Sequence, residues 1–153
     1  MNVVLYQPDI ALNVGAIIRL SACLNVKLHI IEPCGFPFDM KKVRQAAMDY
    51  IDKVELIRHF SWAAFIDYKK KNVSTLYLLS TKADQIYSEV SFKEEDYLIF
   101  GRESAGASKE VWETIDHALK IPLKPDCRSL NLASSVALVL GEALRQTSYA
   151  GLE

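Results

Sequence analysis

The chain has 153 residues, half of them apolar, which suits one domain with a sizeable core rather than two small ones. Its 18 basic and 19 acidic side chains leave a formal charge of −1, which excludes the broad positive field of a protein that holds nucleic acid by charge alone and leaves room only for a local basic patch. No apolar run approaches the length a bilayer needs, and no basic region precedes a cleavable apolar stretch, so a cytoplasmic protein without a membrane partner is expected.

In chain order, NVVLYQP reads as a short strand closed by Pro8, and GAIIRLSACLNV as a helix with Ile17, Leu20 and Leu24 on one face. KLHIIEP repeats the strand-then-proline pattern, MKKVRQAAM is a short helix, and a weaker strand is centred on Val54–Ile57. Ser61 is a plausible N-cap for the helix of SWAAFIDYKKK, STLYLLST is a strand of the buried type, and DYLIFG is another, ending at Gly101. SKEVWETIDH is a helix with Ser108 as its cap, LKIPL a last short strand, and Leu130–Thr147 the closing helix. Strands alternating with helices imply a mainly parallel sheet flanked by helices, an α/β fold spanning 1–153 as one domain. Cys23, Cys34 and Cys127 are an odd number without CxxC spacing; they suggest neither a disulfide scaffold nor a metal site, and read as buried thiols.

In such a sheet ligands sit beyond the carboxyl ends of the strands, so the loops after the strands are where chemistry belongs. GRESAGAS, Gly101–Ser108, has two glycines for tight turns and places Glu103 to accept from backbone amides or ligand hydroxyls; a purely structural turn explains it equally well. No dinucleotide or nucleoside-triphosphate loop occurs. Arg19 lies opposite the apolar stripe of its helix, with Asn13 and Gly15 at the helix mouth, as a solvated arginine or as a cation for a phosphate. Lys69–Lys71 read as a solvated helix end, whereas Lys41, Lys42 and Arg44 read as a solvated face or a basic patch; His29, His59 and His117 read as structural. The closing helix carries a core stripe of Leu132, Val136, Val139, Leu140, Ala143 and Leu144. Its second stripe, Ala133, Ala137 and Gly141, is small enough for another helix to approach, either from a second copy of the chain or from the same one.

Three stretches, NVGAIIR, LIFGRESAG and IPLKPDCRSLNLASSVALVLGEALRQ, resemble the signature stretches of the SPOUT RNA methyltransferases of the α/β trefoil-knot fold. The resemblance covers essentially the whole chain, including LHIIEPCGF and Met48–Tyr50, and is nearest to the branch that methylates the 2′-hydroxyl of the tRNA wobble nucleotide. It implies a deep carboxyl-terminal knot, and S-adenosylmethionine held by Leu79, Ser80, Thr81, Gly101, Glu103, Ile121, Leu123, Ser129 and Leu130. It also implies a homodimer through the helices containing Gly15–Leu24 and Leu130–Thr147, with Arg19, Ser129 and Asn131 as catalytic residues, no metal, and tRNA rather than DNA as the partner. Arg19, Lys41, Lys42, Arg44 and Arg102 are the residues expected to meet RNA.

Because a guanidinium stays protonated, Arg19 is expected to orient the RNA phosphate and stabilise the developing alkoxide rather than act as base, and Glu142 is the weaker base candidate. The chain departs from the branch's common pattern where GRESAGAS stands for GPETRGLP, NLASSV for NLSNAV and Gly141 for a frequent tyrosine; Arg102 could restore the cation lost at Ala105. Methylation of another tRNA or rRNA ribose, a knotted RNA-binding protein without catalysis and a flavodoxin-like module are the alternative readings.

Overall fold

The structure, a computed structural model, describes the backbone of residues 1–153 and every side chain except those of Met40 and Ala46. Seven parallel strands form one sheet: β1 (Asn2–Tyr6), β2 (Lys27–Ile31), β3 (Leu56–His59), β4 (Leu76–Leu79), β5 (Gln85–Ile86), β6 (Tyr97–Phe100) and β7 (His117–Lys120), in the spatial order β3-β2-β1-β6-β4-β7-β5. Helices α1 (Ala11–Cys23), α2 (Met40–Ala47), α3 (Trp62–Lys69), α4 (Lys109–Thr114) and α5 (Leu132–Gln146) connect and flank it, with 3-10 turns at Met48–Asp52 and Tyr87–Glu89.

The alternation of side chains along each strand sorts the core into two layers. Val3 and Leu5 of β1, with Leu98 and Phe100 of β6, face Val14, Ile17 and Ile18 of α1 and the α5 stripe. Val4, Tyr6, Tyr97 and Ile99 face the other way, onto Trp62 and Phe65 of α3 and Val111 of α4. All six residues of the expected α5 core stripe are buried. Each buried aliphatic side chain there removes roughly 1.5–3 kcal/mol worth of apolar surface from water, so packing rather than helix propensity holds α5 down.

Local differences from the sequence reading have simple causes. Helix α1 begins at Ala11, four residues before Gly15, so Asn13 and Gly15 lie inside its first turns and are buried there. The last strand ends at Lys120 because Pro122 has no N–H for a ladder; it is displaced toward His117, and β3 is displaced toward His59. The two-residue β5 is too short to leave a periodic trace. Ser61 caps α3 by accepting from the Ala64 amide, whereas the Ser108 hydroxyl makes no such bond at α4. Cys23 and Cys127 are exposed and only Cys34 is partly buried, which overturns the reading of the thiols as core groups: Cys23 ends α1 on its outer face and Cys127 lies in a loop. Among the described residues, no helix is long and apolar enough to cross a membrane.

Candidate functional site

The strand order places the carboxyl ends of β1, β6, β4 and β7 side by side, and the loops leaving them converge. Between these loops lies a cavity of about 640 Å³, within the usual range of small-molecule sites. Leu79, Ser80, Thr81, Gly101, Glu103, Ile121, Leu123, Ser129 and Leu130, the nine positions expected to hold a cofactor, all line it, as do Asn131 and Arg102. Its wall is mixed, with Phe100, Trp112 and the leucines supplying apolar surface and the 101–107 and 129–131 backbones supplying polar groups. The 101–107 loop is drawn tight by reciprocal hydrogen bonds between the Arg102 and Gly106 backbones. A side chain at Gly101 would strike the Gly106 carbonyl carbon at 2.5 Å, and Gly106 itself sits at φ +69°, so both glycines are needed for this loop to close.

A polar network ties the loops together. Glu103 accepts from the Asp9 amide at 2.7 Å through Oε2 and from the Asn13 side-chain amide at 3.0 Å through Oε1, the acceptor role expected of it. Asn13 Oδ1 in turn accepts from Asn131 Nδ2 at 2.9 Å, while Asn131 Oδ1 caps α5 by accepting from the amides of Ala133 and Ser134. Both ends of the Asn131 side chain are therefore engaged in holding the α5 start against α1. Asp9, which the sequence reading passed over, accepts from Arg102 Nη2 at 2.6 Å and from both the amide and the hydroxyl of Ser104. The Arg102 guanidinium and the Ser104 hydroxyl pull the Asp9 carboxyl down to about 2. No local pattern joins Asp9 to a residue 93 positions away; only the adjacency of β1 and β6 does.

The expected RNA-facing cations separate into paired and unpaired groups. Arg102 is not a free cation standing in for Ala105, because its charge is engaged by Asp9. Arg44 forms a two-bond ion pair with Asp52, at 2.7 and 2.9 Å. Lys41 and Lys42 are exposed on α2 and make no ion pair among the described residues. Arg19 is exposed, and its guanidinium lies 4.9 Å from the centre of the Tyr50 ring. It lies six residues beyond Asn13, ~9 Å along α1 and about 240° around it, which turns it away from the cavity of its own chain. Glu142 is gripped by Arg145 and Gln146, which hold its carboxyl down at about 2, and it does not line the cavity, so it is not placed to take a proton there. His29 and His59, scattered in sequence, stack at 5.3 Å on the opposite layer of the sheet. Among the described residues no group of three or more His, Cys, Asp or Glu is placed to hold a metal ion.

Residues 1–141 match the family described as the SpoU rRNA Methylase family. The tRNA (cytidine(34)-2'-O)-methyltransferase of Beijerinckia indica is 51% identical over 142 residues, which are 93% of this chain and 89% of that protein. A solved structure concerned with 2-OH methylation of C/U34 on tRNA superposes with a TM-score of 0.90 at 39% identity, covering 96% of this chain and 95% of that one. The SpoU methyltransferase AviRb from Streptomyces viridochromogenes, solved in complex with the cofactor AdoMet, shares the fold at a TM-score of 0.88 and 24% identity, over 97% of this chain and 58% of that one.

Proposed function

The chain belongs to the SpoU rRNA methylase family, and from that premise we propose that it is an S-adenosylmethionine-dependent methyltransferase acting on the 2′-hydroxyl of nucleotide 34 of tRNA. The observation that carries the reading is the convergence of the 79–81, 101–103, 121–123 and 129–131 stretches on one cavity of a size and mixed polarity suited to a nucleoside with an amino-acid tail. When bound, S-adenosylmethionine supplies an electrophilic sulfonium methyl to the ribose oxygen. Leu79, Ile121, Leu123 and Leu130 offer apolar surface for its adenine, and Ser80, Thr81, Gly101, Glu103 and Ser129 offer polar groups for its ribose and methionine ends. Asn131, fixed by the α5 amides and Asn13, keeps the 129–131 backbone in place.

Arg19 orients the phosphate beside the target ribose and stabilises the alkoxide as it forms, remaining protonated throughout. The proton of the attacking hydroxyl goes to that phosphate or to water, since both Glu142 oxygens are engaged by Arg145 and Gln146 and Glu142 does not line the cavity. Because Arg19 is turned from its own cavity, a second copy of the chain brings it to the site. The open face of α5 supports this homodimer: Ala137 is exposed, Leu138 is 47% exposed and an added group at Gly141 would meet nothing within 4 Å, while Leu12 of α1 is 75% exposed. Ala133, the first residue of the small stripe, packs against the core of the same chain, so the open part of the face is the Ala137–Gly141 end. The 121–131 segment, which borders the cavity together with the 79–82 and 100–107 stretches before the chain enters α5, is the portion we take to be threaded as the knot. The cytoplasm, where tRNA resides, is the compartment this activity requires.

Methyl transfer to unmodified tRNA with mass-spectrometric mapping tests the reading. Methylation of the ribose at position 34 is expected; methylation confined to another nucleotide would replace the substrate, and no S-adenosylmethionine binding by calorimetry at millimolar concentration would remove the enzyme.

A further inference from the structure

Seven of the 18 Lys and Arg side chains of this nearly neutral chain are matched with carboxylates. Arg44, Arg58, Arg102 and Arg145, with Lys27, Lys70 and Lys109, each stand in an ion pair. The surface around Tyr50 gathers two of the others on one aromatic ring. Arg19 and Lys53 both lie over the Tyr50 ring, at 4.9 Å and 5.5 Å from its centre, and neither has a carboxylate within ion-pair distance among the described residues. Two acidic side chains do occur on the same 3-10 turn, of which Asp52 is taken up by Arg44 through a two-bond pair and Asp49 makes no ion pair among the described residues. Arg44 thus takes the Asp52 charge from the turn and leaves Arg19 and Lys53 without an ion-pair partner among the described residues.

We infer that Lys53, together with Arg19 and the Tyr50 ring that both cations share, forms a phosphate clamp for the RNA backbone next to the ribose being methylated. The inference rests on the tRNA reading above and adds Lys53 and Tyr50 to it as binding residues. The Lys53 amide donates to the Tyr50 carbonyl at 3.0 Å, which fixes the lysine at the end of the turn that carries the ring. Resting two long side chains on one aromatic ring limits their rotamers before the ligand arrives, so less freedom is lost on binding. With its ring occupied by cations, Tyr50 is poorly placed to stack a base; the cluster therefore reads the backbone and not the nucleotide. Lys41 and Lys42 are exposed on α2, the helix that leads into this turn.

The test compares wild type, Lys53→Gln and Lys53→Arg for tRNA affinity across a KCl series, for steady-state methyl transfer, for calorimetric S-adenosylmethionine affinity and for melting temperature. Lys53→Gln is expected to weaken tRNA binding several-fold, to make the slope of log K against log[KCl] shallower by about 0.7–0.9, and to raise KM for tRNA with kcat within about twofold. Cofactor affinity and melting should be unchanged, and Lys53→Arg should restore binding. A Lys53→Gln protein with the wild-type slope and KM overturns the clamp, as does one that loses cofactor affinity and melting temperature together, which would make Lys53 structural. Should wild type bind tRNA with a Lys53-dependent slope yet transfer no methyl group, the clamp stands and the catalytic reading falls.

Discussion

At the residue scale, the chemistry depends on which charges are spent and which are free. Arg102 carries a charge that its position in the glycine loop would offer to RNA, but Asp9 is close enough to claim it, and a paired guanidinium contributes little field beyond the pair. Arg19, facing an aromatic ring instead of an acid, keeps its full charge for a ligand. Arg19→Ala is accordingly expected to lower kcat by about 100-fold while leaving S-adenosylmethionine affinity intact, as single-turnover rates and calorimetry would record; equal loss of both would make Arg19 a structural residue. Asp9→Asn has the opposite profile. It weakens the clasp on Arg102 and Ser104, loosens the 101–107 wall, and is expected to weaken cofactor binding by about fivefold, a modest effect because the pair is partly exposed. Cofactor affinity unchanged in Asp9→Asn would show that the loop holds its shape without the clasp.

At the element scale, α5 shows two readings of one periodicity. Its Leu132, Val136, Val139, Leu140, Ala143 and Leu144 face fills the core, and its N-terminus is anchored through Asn131 to Asn13 of α1. Its other face is left open, with Gly141 against empty space. A face of small side chains lets a second helix come close, so a bulky charge there should block association without touching the core. If the proposed homodimer supplies Arg19 to the partner's cavity, Ala137→Arg is expected to give a protein of unchanged melting temperature that runs at monomer mass in light scattering and has lost methyl transfer. A dimer that persists in Ala137→Arg would move the interface elsewhere.

At the scale of the whole molecule, the layer opposite the site holds its own titratable device. His29 and His59 share a 3.0 Å contact under Phe65, Tyr68 and Tyr97, and burial, with the neighbouring His59 and Lys27, pushes His29 down to about 3. The unfolded chain takes up a proton there near pH 6.5 and the folded chain does not until about pH 3. Stability therefore falls as pH drops through that window, by about 1.4 kcal/mol per unit for each such group. Urea midpoints should decline from pH 7 to pH 5, a loss of about 2 kcal/mol from His29 alone, and a His29→Asn, His59→Asn double variant should flatten the decline. An undiminished slope in that variant would assign the acid sensitivity to other groups. The parallel α/β architecture, its strands and the two faces of α5 were legible from the sequence, since apolar period and turn residues are local properties that burial on a sheet enforces. The nine cavity positions were legible through resemblance, because the stretches that carry them are continuous. What the tertiary structure alone decided was pairing: that β6 lies beside β1 and brings Arg102 to Asp9, that α2 and the turn after it leave Arg19 and Lys53 on one ring, and that two distant histidines meet. Electrostatic partners are set by distance through space, and the order of strands in a sheet, which no short stretch encodes, fixes that distance.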